Sequence, residues 1–216
     1  MEIKKVHGAV ALAVAVPLGA IGAALMKHGS FGLSPFYSVS LSLFEATGLF
    51  TMGTWNAAFQ FTLILLLILI LRKMKLRYPL SFAVAAASSL ILDGANAVFV
   101  HLPQSVPARL VCYISGFFIM TLGIALMAEC KLPVAPMNLF VRELSEEWSR
   151  PFRSVKLVFD ICCLAFSTAV SLGFAGYLSR GIGPGTVLSA FLTGPLSGLY
   201  ISLLRKRFHF YSNLNL

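Results

Sequence analysis

The sequence predicts an all-α membrane protein with six transmembrane helices. These form two inverted-topology three-helix repeats, each with a short re-entrant or interfacial helix between its first and second spans. Three observations lead there. The 216 residues are 58% hydrophobic and 12% charged, with a mean hydropathy of +0.85, whereas a soluble domain carries about 25% charge. The basic residues sort between alternate connectors, and the chain matches itself at a fixed offset.

Apolar runs bounded by charges or turn residues place the spans at Gly8 to Met26, Gly53 to Leu71, Pro79 to Val100, Pro107 to Ala128, Ser154 to Gly173 and Pro184 to Leu204. Each approaches or exceeds the roughly 20 residues that cross about 30 Å of hydrocarbon. Helices follow because an open sheet leaves backbone groups unsatisfied in lipid, and the alternation of a membrane barrel is missing. The first run follows Lys4 and Lys5 and has the look of a signal peptide. Its counterpart later in the chain argues that it is retained.

With the N-terminus inside, Lys4, Lys5, Arg72, Lys73, Lys75, Arg77, Lys131, Arg142, Arg150, Arg153, Lys156, Arg205, Lys206 and Arg207 fall on the inner side. That is fourteen of the seventeen basic residues, leaving Lys27, Arg109 and Arg180 outside. The positive-inside rule therefore predicts a multi-pass protein of the plasma membrane with both termini cytoplasmic. The net charge of +9 is accounted for by this placement, with no nucleic-acid partner.

At an offset of 101, Gly22-Ala-Ala-Leu-Met26 aligns with Gly123-Ile-Ala-Leu-Met127, Pro35 with Pro136, and Glu45 with Glu146. Near offset 105, Ser81 meets Thr186 and Ser89 meets Gly194. The halves divide at residues 1–104 and 105–216, and three crossings in each force opposite insertion. Inverted repeats are common in secondary transporters.

The connector Gly32-Leu-Ser-Pro35, the later Gly53-Thr-Trp55, and Gly181-Ile-Gly-Pro-Gly-Thr186 followed by Gly194-Pro195 together resemble the YczE/YyaS/YitT-like integral membrane proteins, over nearly the whole chain. Where that family has a Gly-x-x-Pro second connector, this chain has Pro133-Val-Ala-Pro136. The resemblance implies a multi-span bundle with a transport role and names no substrate.

Ser34-Pro35 reads as a helix start, with a capping serine and a proline at the first helical position. Phe36 to Ala46 is too short to span, so it lies on the surface or dips in as a half-helix. Pro136 to Glu147 sets Met137, Phe140, Val141 and Leu144 against Arg142, Glu143, Glu146 and Glu147, an interfacial pattern.

Carboxylates inside spans are costly and point to function. Asp93 shares a face with Ser89 and Asn96, either as a pathway lining or as a group hydrated near the outer end. Asp160 lies within reach of Lys156, so it either binds solute or protons or forms a structural pair. The repeat sets Asp160 near Gln60, with Asn56 one turn before. Thr186, in the glycine-rich turn, and Gly194, beside Pro195, complete the candidates for substrate or ion binding; a break or kink is expected at Gly194-Pro195.

The four histidines and four cysteines have no metal-ligand spacing, and no catalytic motif is present, so neither a metal, a cofactor nor an enzyme is expected. Without Arg or Lys in mid-span, a cation, zwitterion or neutral solute is easier to accommodate than a multivalent anion. The expected function is secondary transport of a small polar organic solute, with proton coupling and homodimerisation both compatible. Two alternatives stand beside it. One is the binding subunit of an ATPase-driven vitamin-type importer, for which Ala9-Val-Ala-Leu-Ala13 offers a docking face. The other is a non-transporting accessory or scaffold protein.

Overall fold

A computed structural model of the chain describes residues 4–72, 77–130, 132 and 135–211. The basic residues Lys73, Lys75 and Lys131, and the Pro133-Val134 part of the second connector, lie outside the described residues. In order the elements are strand β1 (Lys4–His7), α1 (Gly8–Gly29), α2 (Pro35–Thr47), α3 (Met52–Leu71), α4 (Arg77–Phe99), α5 (Val106–Glu129), α6 (Pro136–Glu147), α7 (Phe152–Val170), α8 (Pro184–Arg207) and strand β2 (Phe208–Tyr211). A π-helical turn, Ser171–Ala175, prolongs α7.

Among the described residues, six helices are long and apolar enough to cross a membrane: α1, α3, α4, α5, α7 with its π turn, and α8. Their outer faces carry exposed Leu69, Leu90, Val158, Phe174 and Phe191, as a lipid-facing surface requires. The protein is a multi-pass helical membrane protein.

Its centre is the seam between α1 and α5, where glycine lets backbone touch backbone. A Cβ on Gly22 would lie 2.5 Å from the amide nitrogen of Met120 and 2.7 Å from the carbonyl of Gly116. A Cβ on Gly116 would come within 2.6 Å of the Gly22 carbonyl, and one on Gly123 within 2.7 Å of the Gly19 nitrogen. In lipid, where helices gain nothing by hiding apolar surface from water, such close approach is a principal source of association.

Around this seam α1 packs on α4 and α5 on α8, while α3 packs on α4 and α7 on α8. The short helices fill the interior: α2 lies against α3, α7 and α8, and α6 against α7, α3 and α4. Pro35, Phe36, Ser38, Val39, Ser40, Leu41 and Ser42 are buried, as are Pro136 to Leu139, Val141, Glu143 and Leu144. An interfacial α6 would have left Glu143 wet; enclosure by α3, α4 and α7 leaves it 3% exposed.

Pro195 does not interrupt α8, which stays α-helical from Pro184 to Arg207. Hydroxyls reinforce the backbone on either side, Thr193 donating to the Ser189 carbonyl at 2.6 Å and Ser197 to that of Gly194 at 2.9 Å.

Strands β1 and β2 pair in parallel, Lys5 opposite His209 and His7 opposite Tyr211, so the first and last described segments sit on one face. The same face holds the two-pronged ion pair of Arg205 with Glu129, at 2.8 and 2.9 Å. At the opposite end, Arg109 Nε donates to the Gly29 carbonyl at 3.2 Å, satisfying the C-terminus of α1. That bond gives a structural reason for one of the three basic residues on the sparsely charged side.

Candidate functional site

Helix α2 is seated by its N-terminal end. Phe31 to Leu33 is bonded to the turn before α8: Leu33 N–H donates to the Gly181 carbonyl at 2.8 Å, and Gly185 N–H donates to that of Phe31 at 2.9 Å. Thr186 locks the turn, donating its hydroxyl to the Gly181 carbonyl at 2.8 Å and accepting from Gly183 N–H at 3.1 Å. Gly32, at φ +123°, leaves no room for a side chain, since its Cβ would meet Thr186 Oγ1 at 2.5 Å. Tyr113 OH closes the arrangement on the Gly185 carbonyl at 2.8 Å. The glycine-rich turn and Thr186 thus position Ser34 and Pro35.

Ser34 is the N-cap of α2 and Ala135 that of α6, each followed by proline and neither making a side-chain cap bond. The first helical bonds run from Ser38 N–H to the Ser34 carbonyl, 3.0 Å, and from Leu139 N–H to that of Ala135, 3.1 Å. The amides of Phe36, Tyr37, Met137 and Asn138 therefore have no acceptor within their own helices.

Both N-caps line one small cavity of about 20 Å³, enough for a single water molecule. Its wall is completed by Val16 and Gly19 of α1, Phe36 and Tyr37 of α2, Gln60 of α3, Ser88 of α4, Met120, Ile124 and Met127 of α5, and Met137 and Asn138 of α6. Gln60 Nε2 reaches Ser88 Oγ at 3.5 Å. Asn138 Nδ2 contacts Met127 Sδ at 3.5 Å, while its Oδ1 is buried without a hydrogen-bond partner.

Of the residues expected from the sequence, Ser34 and Gln60 belong to this cavity. Asn56 and Ser89 meet elsewhere on the α3–α4 contact, Nδ2 to Oγ at 2.9 Å. Asp93 lies at the start of α3, accepting from Gly53 N–H at 2.8 Å and from the Thr51 hydroxyl at 2.5 Å. It caps that helix from a neighbouring one. Asn96 Nδ2 points at Met52 Sδ, 3.9 Å away.

Asp160 is ion-paired with Lys156, both side chains buried and the ammonium 5.4 Å from the centre of the Phe159 ring. Beyond it on α7, Ser167 Oγ lies 3.1 Å from Ser38 Oγ, and Ser171 donates to Ser42 Oγ at 3.0 Å, tying α7 to α2. Gly194 is outside the cavity, on the α8 face that meets the Arg153 stem.

Asn138, Tyr37, Ser88 and the three methionines were not among the expected site residues. The repeat carried the signal for one of them: at offset 101, Ser34, Phe36 and Tyr37 fall on Ala135, Met137 and Asn138. All six line the cavity.

A second hollow, an apolar groove of about 320 Å³, separates α3 from α7. Phe59 and Leu63 form one wall, Phe159, Cys163 and Phe166 the other, and Val39, Phe140 and Leu144 the floor.

A family-wide sequence profile matches residues 6–202 and is described as a family of unknown function, DUF6198. The chain belongs to the DUF6198 family. Its similarity to the uncharacterized protein YyaS of Bacillus subtilis (strain 168) is 24% identity over 194 residues, covering 87% of this chain and 89% of YyaS. This is a YyaS-like membrane family, in agreement with the resemblance carried by the glycine and proline motifs. No solved structure matches this DUF6198 chain.

Proposed function

We propose that the protein is a secondary transporter of a small polar organic solute, working by alternating access between two inverted repeats, with the solute held where α2 and α6 meet. The observation that carries this reading is the exchange of helix neighbours between halves. If α1 to α4 are exchanged with α5 to α8, the α1–α4 contact becomes α5–α8, α2–α7 becomes α6–α3, and α2–α8 becomes α6–α4, all of them present. The α1–α5 seam maps onto itself. Two similar halves that trade conformations supply inward-open and outward-open states, and half-helices ending near the bilayer middle are where such proteins hold solutes.

In this reading α2 and α6 are re-entrant half-helices and the termini are cytoplasmic, as the distribution of basic residues favours. The small cavity corresponds to an occluded state without solute. Met120, Met127 and Met137 on its wall are unbranched and flexible, which suits a site that enlarges on binding. Protons take part only through a group that titrates during the cycle. Asp160, buried on α7 and held by Lys156, is the candidate tested first, and Asp160→Asn separates the cases by abolishing or sparing the pH dependence of uptake.

The test is uptake by liposomes containing the full chain, with amino acids, hydroxy acids, amines and neutral metabolites offered as labelled solutes. Saturable uptake that Gln60→Leu removes, without lowering the apparent melting temperature by more than a few degrees, supports the proposal. A folded protein that moves none of these classes in either gradient direction refutes it. One observation favours a second reading, a membrane subunit that docks a partner helix: Ala9 and Ala13 lie together on the exposed side of α1, with Val10 and Val14 between and beside them. Co-purification with an ATPase complex, lost in Ala9→Leu/Ala13→Leu, would support it.

A further inference from the structure

We infer that the central cavity recognises the carboxylate, or an equivalent monovalent oxyanionic group, of a small organic acid. The inference rests on the transport reading for its biological setting, but its physical basis is separate. Two helix N-termini converge on one cavity, and each carries roughly half a positive charge from its aligned peptide dipoles. Their first-turn amides, at Phe36, Tyr37, Met137 and Asn138, point out of helices whose N-caps lack a side-chain bond. An anion at such a position needs no basic side chain, and among the described residues none that lines this cavity is basic.

A second observation points to a ligand independently. Asn138 is 7% exposed, lines the cavity, and its Oδ1 has no hydrogen-bond partner. Such a group is costly to leave unmatched in a buried place. A solute that brings a hydroxyl or ammonium beside its carboxylate satisfies it, and rotation of the carboxamide lets Nδ2 serve an oxyanion instead.

The charge of the site also limits the solute. Two half-charges sum to about one, which matches a single carboxylate, opposes a cation and leaves a divalent anion uncompensated. The two carboxylates within the long spans are engaged elsewhere, Asp160 by Lys156 and Asp93 by Thr51 and Gly53, and Glu143 of α6 is not among the cavity's lining residues. Among solutes of one size, the order expected is hydroxy or amino acid first, simple carboxylate next, sulfate and amines last.

The experiment is thermal unfolding of the purified full chain in detergent with lactate, glycine, acetate, sulfate and ethanolamine, followed by uptake of labelled lactate and glycine into liposomes. Stabilisation by lactate or glycine beyond that by sulfate and ethanolamine is the expected result. Ser34→Asp and Ala135→Asp each set a fixed carboxylate on the same amides, so they retain the helix but weaken solute binding by ~10-fold or more. Ser105→Asp, at the exposed and unbonded N-cap of α5, makes the same change away from the cavity and leaves binding unaltered. A folded wild-type protein indifferent to all three carboxylates overturns the inference, as do N-cap aspartate variants that bind lactate as tightly as wild type. Saturable uptake of amines that carboxylates do not compete for overturns the inference and leaves the transporter reading standing. Carboxylate binding lost in the aspartate variants, with no uptake under any gradient, supports the inference and refutes transport.

Discussion

The two sides of the bundle are built on opposite principles. At the α1–α5 seam, glycines bring two backbones together with no space for a methyl group. Across the molecule α3 and α7 stand apart, and the short helices α2 and α6 beneath them floor a groove of about 320 Å³. That side is joined through the short helices, by the aromatic contacts of Phe36 with Phe59 and Phe140 with Phe159 and by the hydroxyl contacts Ser38–Ser167 and Ser42–Ser171, while α7 itself carries the buried Lys156–Asp160 pair. The contrast places rigidity and freedom in different helices. Under the proposed alternating access, a packed seam suits a pivot, and hydroxyl contacts that are worth little each suit a surface that is remade as the halves move.

The largest effect should come from opening the seam. Gly22→Leu collides with backbone at Gly116 and Met120, so a loss of ~5 kcal/mol or more, or failure to fold, is expected. Gly94→Leu, with open space around its Cα, should stay within about 0.5 kcal/mol of wild type. Size-exclusion profiles and melting curves separate the two. Equal tolerance would mean that the seam is not what holds the halves.

Next comes the buried pair on the looser side. Lys156→Met strands the Asp160 charge and should cost about 3–5 kcal/mol, whereas Lys156→Met/Asp160→Leu should recover most of that loss. A double variant no better than the single would show that Asp160 has a use beyond its partner. Asp93→Ala removes the acceptor of the Gly53 N–H, leaving Thr51 to cap α3 through the Thr54 N–H, and should cost ~1 kcal/mol; Asp93→Asn, which keeps an oxygen acceptor, should fall between it and wild type by the same unfolding measurement. The smallest effect is the coupling of Ser38 with Ser167. Alanine at each position in a double-mutant cycle should reveal about 0.6 kcal/mol, and a coupling near zero would leave α2 held on α7 by packing alone.

Much of the architecture could be read from residue order, because span length and the bar on unpaired backbone in lipid leave few alternatives. The six runs correspond to α1, α3, α4, α5, α7 and α8, with differences at the ends where α1 continues to Gly29 and α8 to Arg207. The depth of α6 was not legible. Its amphipathic pattern fits a water interface, but in the bundle the face carrying Glu143 meets other helices. The candidate site was half legible for the same reason: proline after Ser34 marks a helix start, yet only packing says what that start faces. Asp93 and Asp160 drew attention as costly charges, and each is neutralised locally by a helix terminus or a lysine. Asn138, uncharged and beside a proline, gave no such alarm, although the repeat paired it with Tyr37.

The pairing of β1 with β2 brings the first and last described segments of the chain together, His7 beside Tyr211 with their rings 5.2 Å apart. Cutting the backbone at the exposed segment around Gln104 and joining the old ends with a short linker would therefore preserve every helix and every neighbour. In such a rearranged polypeptide the later half would be synthesised and inserted first. Whether it reaches the same final state would tell how far the order of synthesis, as opposed to the finished contacts, decides the orientation of each half.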